Sequence, residues 1–286
     1  MRSGFVAVAG RSNVGKSTLV NALVGEKVAI TSRVPATTRR RIFGVANGPD
    51  YQLALVDLPG FQRPLDPLTE RMQKTVDESF EDVDVVLLVV DARDRVGSGD
   101  RFVARRVFGL GKPVVIAVNK VDRLKHAHVA AQMKAASELG DFHALHPVSA
   151  KTKEGIAELR DDLVSLLAEG AAYFPDGDTT GLSLEERVAE VIREKALHLT
   201  REEVPHAVTV EVEEIGERVA RAFLYVETES QRRILIGKRG AMVREIGTRA
   251  RPEMEALVGH TLYLELVVKV RPKWRRDRRM LERLGL

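Results

Sequence analysis

The stretch Gly10-Arg11-Ser12-Asn13-Val14-Gly15-Lys16-Ser17-Thr18 decides how the rest of this 286-residue chain is read. It follows a short apolar run, Phe5-Val6-Ala7-Val8-Ala9, which reads as a buried strand, and leads into Leu19-Val20-Asn21-Ala22-Leu23, which has helical spacing. A glycine loop between a strand and a helix is the setting in which G-x-x-x-x-G-K-[ST] binds phosphate. Gly10 and Gly15 let the backbone curl so that successive N–H groups point inward at an anion. The positive end of the helix dipole adds to that field. In such a loop Lys16 reaches the β- and γ-phosphates and the Ser17 hydroxyl ligates Mg²⁺. The competing reading is a strand-to-helix turn that contains Gly-Lys-Ser by chance, so the loop needs support from elsewhere.

Four further motifs supply it, in the order one nucleotide site requires. Thr37-Thr38 lies in a polar loop, and either threonine could complete the Mg²⁺ shell and sense the γ-phosphate; Thr38, next to the following strand, is the expected ligand. Asp57-Leu58-Pro59-Gly60 ends a strand, where its carboxylate can hold a Mg²⁺ water and the Gly60 N–H can approach the γ-phosphate. Asn119-Lys120-Val121-Asp122 ends another. Asp122 offers acceptor oxygens matching the N1–H and N2 amino donors of guanine. Adenine lacks that donor pair, and leaving the carboxylate unpaired costs roughly 1–3 kcal/mol per lost hydrogen bond. The Lys120 stem would lie along the base, and Asn119 would tie its loop to the phosphate loop. In Ser149-Ala150-Lys151 the Ala150 N–H can contact guanine O6. Jointly these predict a GTP/GDP site with Mg²⁺, in which Lys16, Thr38 and Gly60 carry the hydrolysis.

Strand-like and helical segments alternate around these motifs. Residues 41–46, 52–56, 83–90, 113–118 and 143–147 read as strands, with 83–90 buried on both faces. Residues 69–80, 101–108, 129–137 and 156–167 read as helices. The class is therefore α/β: a mostly parallel sheet with helices on both faces, ligands at the strands' carboxyl ends. The expected division is a nucleotide domain over 1–170, a linker over 171–182 rich in Gly, Asp, Thr and Pro, and a second domain over 183–286.

The second domain has a different rhythm: an amphipathic helix at 184–199, with its charged residues on a solvated face, strands at 207–212 and 220–227, helices at 231–236 and 241–257, and a strand at 261–270. The net charge of +4 conceals an asymmetry, because residues 231–286 carry 15 Lys/Arg against 6 Asp/Glu while 181–230 carry 6 against 12. A basic block of this kind suits a polyanion. Within it, Ile236-Gly237-Lys238-Arg239-Gly240-Ala241 sets Gly-x-x-Gly between two helices. That is the arrangement of a KH module, which clamps about four single-stranded nucleotides. Lys238 and Arg239 would meet phosphate, with Ile236 and Val243 flooring the groove. Two strands before the glycine loop indicate the prokaryotic, type II, α+β topology. The run 271–283 is almost continuously charged and reads as a basic tail; His206 and Trp274 read as packing residues.

The chain has no cysteine, which rules out disulfides and thiolate metal sites. No signal peptide is visible and the most apolar run is too short to span a bilayer, so a cytoplasmic protein is expected, with any membrane contact peripheral to the inner face.

The motifs resemble the Ras-like GTPase domains of the translation-factor-related class and, within it, the Era family. The resemblance covers nearly the whole chain. It includes Arg193-Glu194-Lys195, Pro205-His206, Ile236-Gly237-Lys238, Gly240-Ala241-Met242, Ile246-Gly247, Tyr263-Leu264-Glu265-Leu266 and Val270-Arg271-Pro272-Lys273-Trp274-Arg275. It implies a monomeric P-loop GTPase with a KH domain that binds near the 3′ end of small-subunit ribosomal RNA during assembly of that subunit. Phe61 stands where Ras-type enzymes carry a water-orienting glutamine, a substitution Era-like GTPases share. The resemblance also points to Asn13 as a K⁺ ligand near the phosphates, with slow intrinsic turnover raised by K⁺. Many family members have glycine where this chain has Arg239. The alternatives are a tRNA-modification accessory GTPase, which needs a further domain, and a membrane-associated switch, which needs an apolar face in the charged tail.

Overall fold

The β-branched runs of the first half bury both of their faces, and this sets the architecture. A computed structural model describes residues 1–61 and 64–286. In chain order the first part contains β1 (Arg2–Ala9), α1 (Lys16–Val24), β2 (Ile42–Gly48), β3 (Tyr51–Asp57), α2 (Pro67–Glu81), β4 (Val85–Asp91), α3 (Ser98–Phe108), β5 (Val114–Asn119), α4 (His126–Ser137), β6 (Ala144–Val148) and α5 (Ile156–Ser165). The strands form one six-stranded sheet in the order β2-β3-β1-β4-β5-β6. Only β2 runs antiparallel, against β3.

Successive strand residues point to opposite faces, so each strand feeds two cores. Val6, Val8, Val85, Leu87 and Val89 pack with Leu19, Val20 and Leu23 of α1 and Leu159 and Leu163 of α5. Ala7, Ala9, Val86, Leu88 and Val90 pack with Val76 and Phe80 of α2 and Val103 and Val107 of α3. Strand order reverses at β1, so the crevice beyond β1 and β4 is where such a sheet takes a ligand. Helix α5 stops two residues short of the expected Leu167, because the Leu166 and Leu167 N–H groups bond back three residues, to Leu163 and Val164, and tighten the last turn. In the stretch after it, Tyr173 and Phe174 donate their N–H groups to Gln52 Oε1 at 2.7 and 2.9 Å.

The second part contains α6 (Leu184–Leu199), α7 (Val204–Ala207), β7 (Thr209–Ile215), β8 (Val219–Val226), α8 (Glu229–Ile236), α9 (Ala241–Val258), β9 (Tyr263–Val270) and α10 (Arg278–Arg283). Its sheet has the order β7-β8-β9, with β7 antiparallel and β9 parallel to β8. The core joins Val188 and Ile192 of α6, Leu224 of β8, Leu235 of α8, and Ile246 and Met254 of α9. Two side-chain capping boxes start helices here, Ser183 with Glu186 for α6 and Thr228 with Gln231 for α8.

Three expectations change. The strand expected from Ala207 begins at Thr209, because Ala207 still belongs to the helical turn α7, whose second residue is Pro205, and its carbonyl accepts from Trp274 Nε1 at 2.8 Å. The charged tail is folded: Trp274 packs as expected, but Leu281 is also fully buried, and Asp277 caps α10 through the Met280 N–H. Helix α6 is buried throughout Val188–Leu197 instead of presenting a polar face. Its charges pair internally, Arg193 with Glu190 at 2.6 Å and Lys195 with Glu194 at 2.8 Å.

By contacts the chain divides into two units, Met1–Ala29 with Thr38–Arg63 and Met72–Gly181, and Ile30–Thr37 with Pro64–Arg71 and Leu182–Leu286. The two short segments of the second unit are tied to it by named bonds. Glu194 Oε1 accepts from the Thr31 N–H at 2.9 Å and Arg193 Nη2 donates to the Thr37 carbonyl at 2.7 Å. Arg275 Nε donates to Asp66 at 2.9 Å, and Arg71 Nη1 to the Leu286 carbonyl at 2.7 Å. Among the described residues no helix is long and apolar enough to cross a membrane.

Candidate functional site

The phosphate loop is held by contacts that tolerate no side chain at its glycines. A Cβ on Gly10 would stand 2.6 Å from the Val89 carbonyl oxygen. Gly15 has φ +99°, and a Cβ there would stand 2.5 Å from Asn119 Nδ2. Asn119 joins three loops: its Nδ2 donates to the Val14 carbonyl at 3.0 Å, and its Oδ1 accepts from the Lys120 N–H at 2.8 Å and the Ala150 N–H at 3.0 Å. The Ala150 N–H, expected to face guanine O6, is thus engaged by Asn119. Asp122 Oδ1 accepts from the Ser149 hydroxyl at 2.9 Å. Gly15, Thr18, Lys120, Asp122, Ala150 and Lys151 line one open cleft.

At the phosphate end Lys16 is buried, and its ammonium donates to the carbonyls of Gly10 and Arg11 at 3.2 and 3.1 Å. Burial lowers its pKa to about 8, against the opposing pull of Asp57. The Ser17 hydroxyl donates to Asp57 Oδ2 at 2.6 Å and lies 3.1 Å from Thr38 Oγ1, which also reaches Asp57 Oδ2 at 3.1 Å. The Thr37 hydroxyl instead donates to the Val34 carbonyl at 2.6 Å. Burial raises the Asp57 carboxyl above its usual range, against the Lys16 charge and the two hydroxyls. Asp57 Oδ1 is buried with no hydrogen-bond partner among the described residues.

An unpartnered carboxylate oxygen beside two converging hydroxyls suits Mg²⁺, which keeps waters and shares phosphate oxygens instead of filling a protein cage. Gly60 abuts the loop so closely that a Cβ would stand 2.6 Å from Ser12 Oγ. Leu58 and Pro59 are buried behind it. Phe61 stacks on Phe80 at 5.9 Å and meets Phe102 edge-on at 6.4 Å, so its ring belongs to the packing of α2 and α3. Arg11 is drawn to α3, its Nε donating to Asp100 at 2.7 Å. Asn13 adopts φ 67°, and its carbonyl accepts from Lys120 Nζ.

Sequence reasoning missed Asp91 and Arg93. Arg93 lines the same cleft, and Asp91 ends β4 in register with Asn119. The signal was available: a carboxylate closing an otherwise apolar strand at the sheet's ligand-binding end.

In the second unit the Gly237–Gly240 loop joins α8 to α9. Gly237 has φ +71°, and a Cβ there would stand 2.8 Å from the Met242 backbone nitrogen, whereas Gly240 has φ +77° and open space around it. Arg239 takes the left-handed conformation at φ 53°, ψ 32°. Lys238 and Arg239 are exposed, and Ile236 and Val243 are half-buried against the core.

A glycine cradle backed by one carboxylate, with an Asn-Lys-x-Asp loop completing its far end, makes the first unit a P-loop GTPase domain; the second has the αββααβ order and glycine loop of a KH domain. A family model described as "50S ribosome-binding GTPase" matches residues 5–120, and one described as "KH domain" matches 203–275. GTPase Era of Heliobacterium modesticaldum is 42% identical over 290 residues, covering 100% of this chain and 97% of its own. GTPase Era of Mycolicibacterium smegmatis is 44% identical, covering 99% and 98%. The chain belongs to the Era family of GTPases.

Two solved Era structures superpose over 100% of this chain and 99% of their own. One is an Aquifex aeolicus Era variant bound to GDP·AlF4⁻, with TM-score 0.95 at 36% identity. The other is Era in complex with MgGDPNP and nucleotides 1506–1542 of 16S ribosomal RNA, with TM-score 0.96 at 37% identity.

Proposed function

We propose that this chain is a GTP-hydrolysing switch that binds single-stranded RNA near the 3′ end of small-subunit ribosomal RNA and assists assembly of that subunit. The observation that carries the reading is its full-length likeness to the Era structure holding both MgGDPNP and 16S nucleotides. The broader description naming the 50S ribosome matches only residues 5–120, whereas this likeness includes the KH domain.

Lys16 and the loop N–H groups bind the β- and γ-phosphates, and Asp122 selects guanine. Ser17, Thr38 and Asp57 would hold Mg²⁺, directly or through its waters. That ion would supply neutralisation of the phosphate charge. With Phe61 packed among α2 and α3, no glutamine-like group orients water from that position. This supports the family-based assignment of Asn13 as the residue that would hold K⁺, which would supply positive charge to offset charge developing in the reaction. Turnover in KCl should exceed that in NaCl, and equal rates would remove Asn13 from the role.

Crosslinking and RNA sequencing in the GTP, GDP and nucleotide-free states tests the whole reading. Footprints confined to the 3′ end of small-subunit RNA, strongest with GTP, support it. Nucleotide-independent binding spread over unrelated RNAs would sink the switch.

A further inference from the structure

We propose that Asp91 is a positioning residue of the nucleoside pocket, acting through Lys120 and Arg93 to hold two cationic walls in place before nucleotide arrives. The proposal rests on the reading of this cleft as a guanine-nucleotide site.

Asp91 closes β4 beside Asn119, and its side chain is only 3% exposed. Oδ1 accepts from the Arg93 backbone N–H at 3.0 Å and from Arg93 Nε at 3.1 Å. Oδ2 accepts from Arg93 Nη2 at 2.9 Å and from Lys120 Nζ at 2.6 Å. A buried carboxylate persists only when it is paired and hydrogen-bonded, and here two cations that both line the cleft do the pairing. Burial pushes the Asp91 carboxyl up, but the bonds from Arg93 and Lys120 outweigh it and hold it below the usual carboxylate range.

Lys120 is pinned at both ends. Its backbone is left-handed at φ 73° with the N–H on Asn119 Oδ1, and its ammonium sits between Asp91 and the Asn13 carbonyl. Its stem therefore cannot swing out of the cleft, and Arg93 is fixed as the facing wall. Such preorganisation removes an ordering cost from binding. Without the carboxylate, two cations are left to repel each other and to find new positions. The phosphate end, set by Lys16, Ser17 and Asp57, shares no bond with Asp91 among the contacts described.

The test is Asp91→Asn in the full chain, an isosteric change that removes only the charge. Calorimetry with GDP and, separately, with Mg²⁺-tripolyphosphate reads the two halves of the site. GDP affinity should fall about tenfold, the scale of one charged hydrogen bond, with tripolyphosphate affinity unchanged. Adding Asp91→Asn to a Lys120→Met, Arg93→Gln double variant should weaken GDP by no more than about twofold beyond that double variant, since coupled residues do not add. GDP binding equal to the unmodified protein, equal loss of both ligands, or additive losses would each overturn the proposal. Should Asp91→Asn fail to fold, Arg93→Gln at a half-exposed side chain takes its place: GDP release should quicken severalfold with tripolyphosphate unaffected, and unaltered release or a shared loss would overturn it. Failure of the unmodified protein to prefer GDP over ADP would overturn the nucleotide reading and this proposal together, and shows itself before any substitution is made.

Discussion

Lys16 shows how one buried charge sets the pH range of the site. Burial lowers it to about 8, so the free protein begins to lose that proton just above neutrality. Phosphate favours the ammonium form, so above that pH nucleotide binding must draw a proton back. Calorimetry of GDP binding in buffers of different ionisation enthalpy should show uptake rising towards about one proton per nucleotide between pH 7 and 9.5, with affinity falling over the same range. Buffer-independent heats at pH 9 would contradict this. The threonines allow an equally sharp comparison. Thr38 meets Ser17 and Asp57, whereas Thr37 turns its hydroxyl to the Val34 carbonyl. Thr38→Ala should cut Mg²⁺-dependent GTP turnover about tenfold or more, and Thr37→Ala should leave it within about twofold. The reverse order would move the ligand to Thr37. From sequence alone the adjacent pair left this open, because the difference lies in side-chain direction and not in residue type.

Among the elements, the strands and motif-bearing loops of the first half were legible because the physics is local. Continuous apolar runs such as Val85 to Val90 bury both faces, and each motif sits where such a run ends. Helix α6 and the tail were misread for a common reason. Glu190, Arg193, Glu194 and Lys195 look like a solvated face, yet they are buried as partners of one another. Beyond Trp274, whose packing was legible, the charged run after Val270 likewise hides Met280 and Leu281, which are buried. Pairing and long-range burial leave no period in the sequence. The loop between α8 and α9 carries its own prediction. Arg239 sits at φ 53°, where a side chain costs about 1–2 kcal/mol. Arg239→Gly relieves that strain while freeing the unfolded chain, so its unfolding free energy should change by no more than about 1 kcal/mol. Its RNA binding should lose about one unit of salt slope, as for one phosphate contact; an unchanged slope would take Arg239 off the RNA. Gly240→Asp is a cleaner loss-of-binding variant than Gly237→Asp, because Gly237 has the Met242 backbone against it.

For the molecule as a whole, the division into units does not follow the order of the chain. Ile30–Thr37 and Pro64–Arg71 belong by contacts with Leu182–Leu286, although both lie within the first 71 residues. A chain cut after Gly181 loses Arg193, Glu194 and Arg275, the partners of Thr37, Thr31 and Asp66. Limited proteolysis should therefore cleave such a fragment within 30–37 and 64–71 at sites that the full chain protects, and equal protection would show that these segments hold their shape alone. The same feature bears on how the halves can be exchanged. A chimaera that takes 182–286 from a relative imports a helix shaped to grip loops it has left behind. The smallest exchangeable part is thus three pieces of chain, and a graft that carries residues 30–37 and 64–71 along with the C-terminal segment should fold where the simple splice does not.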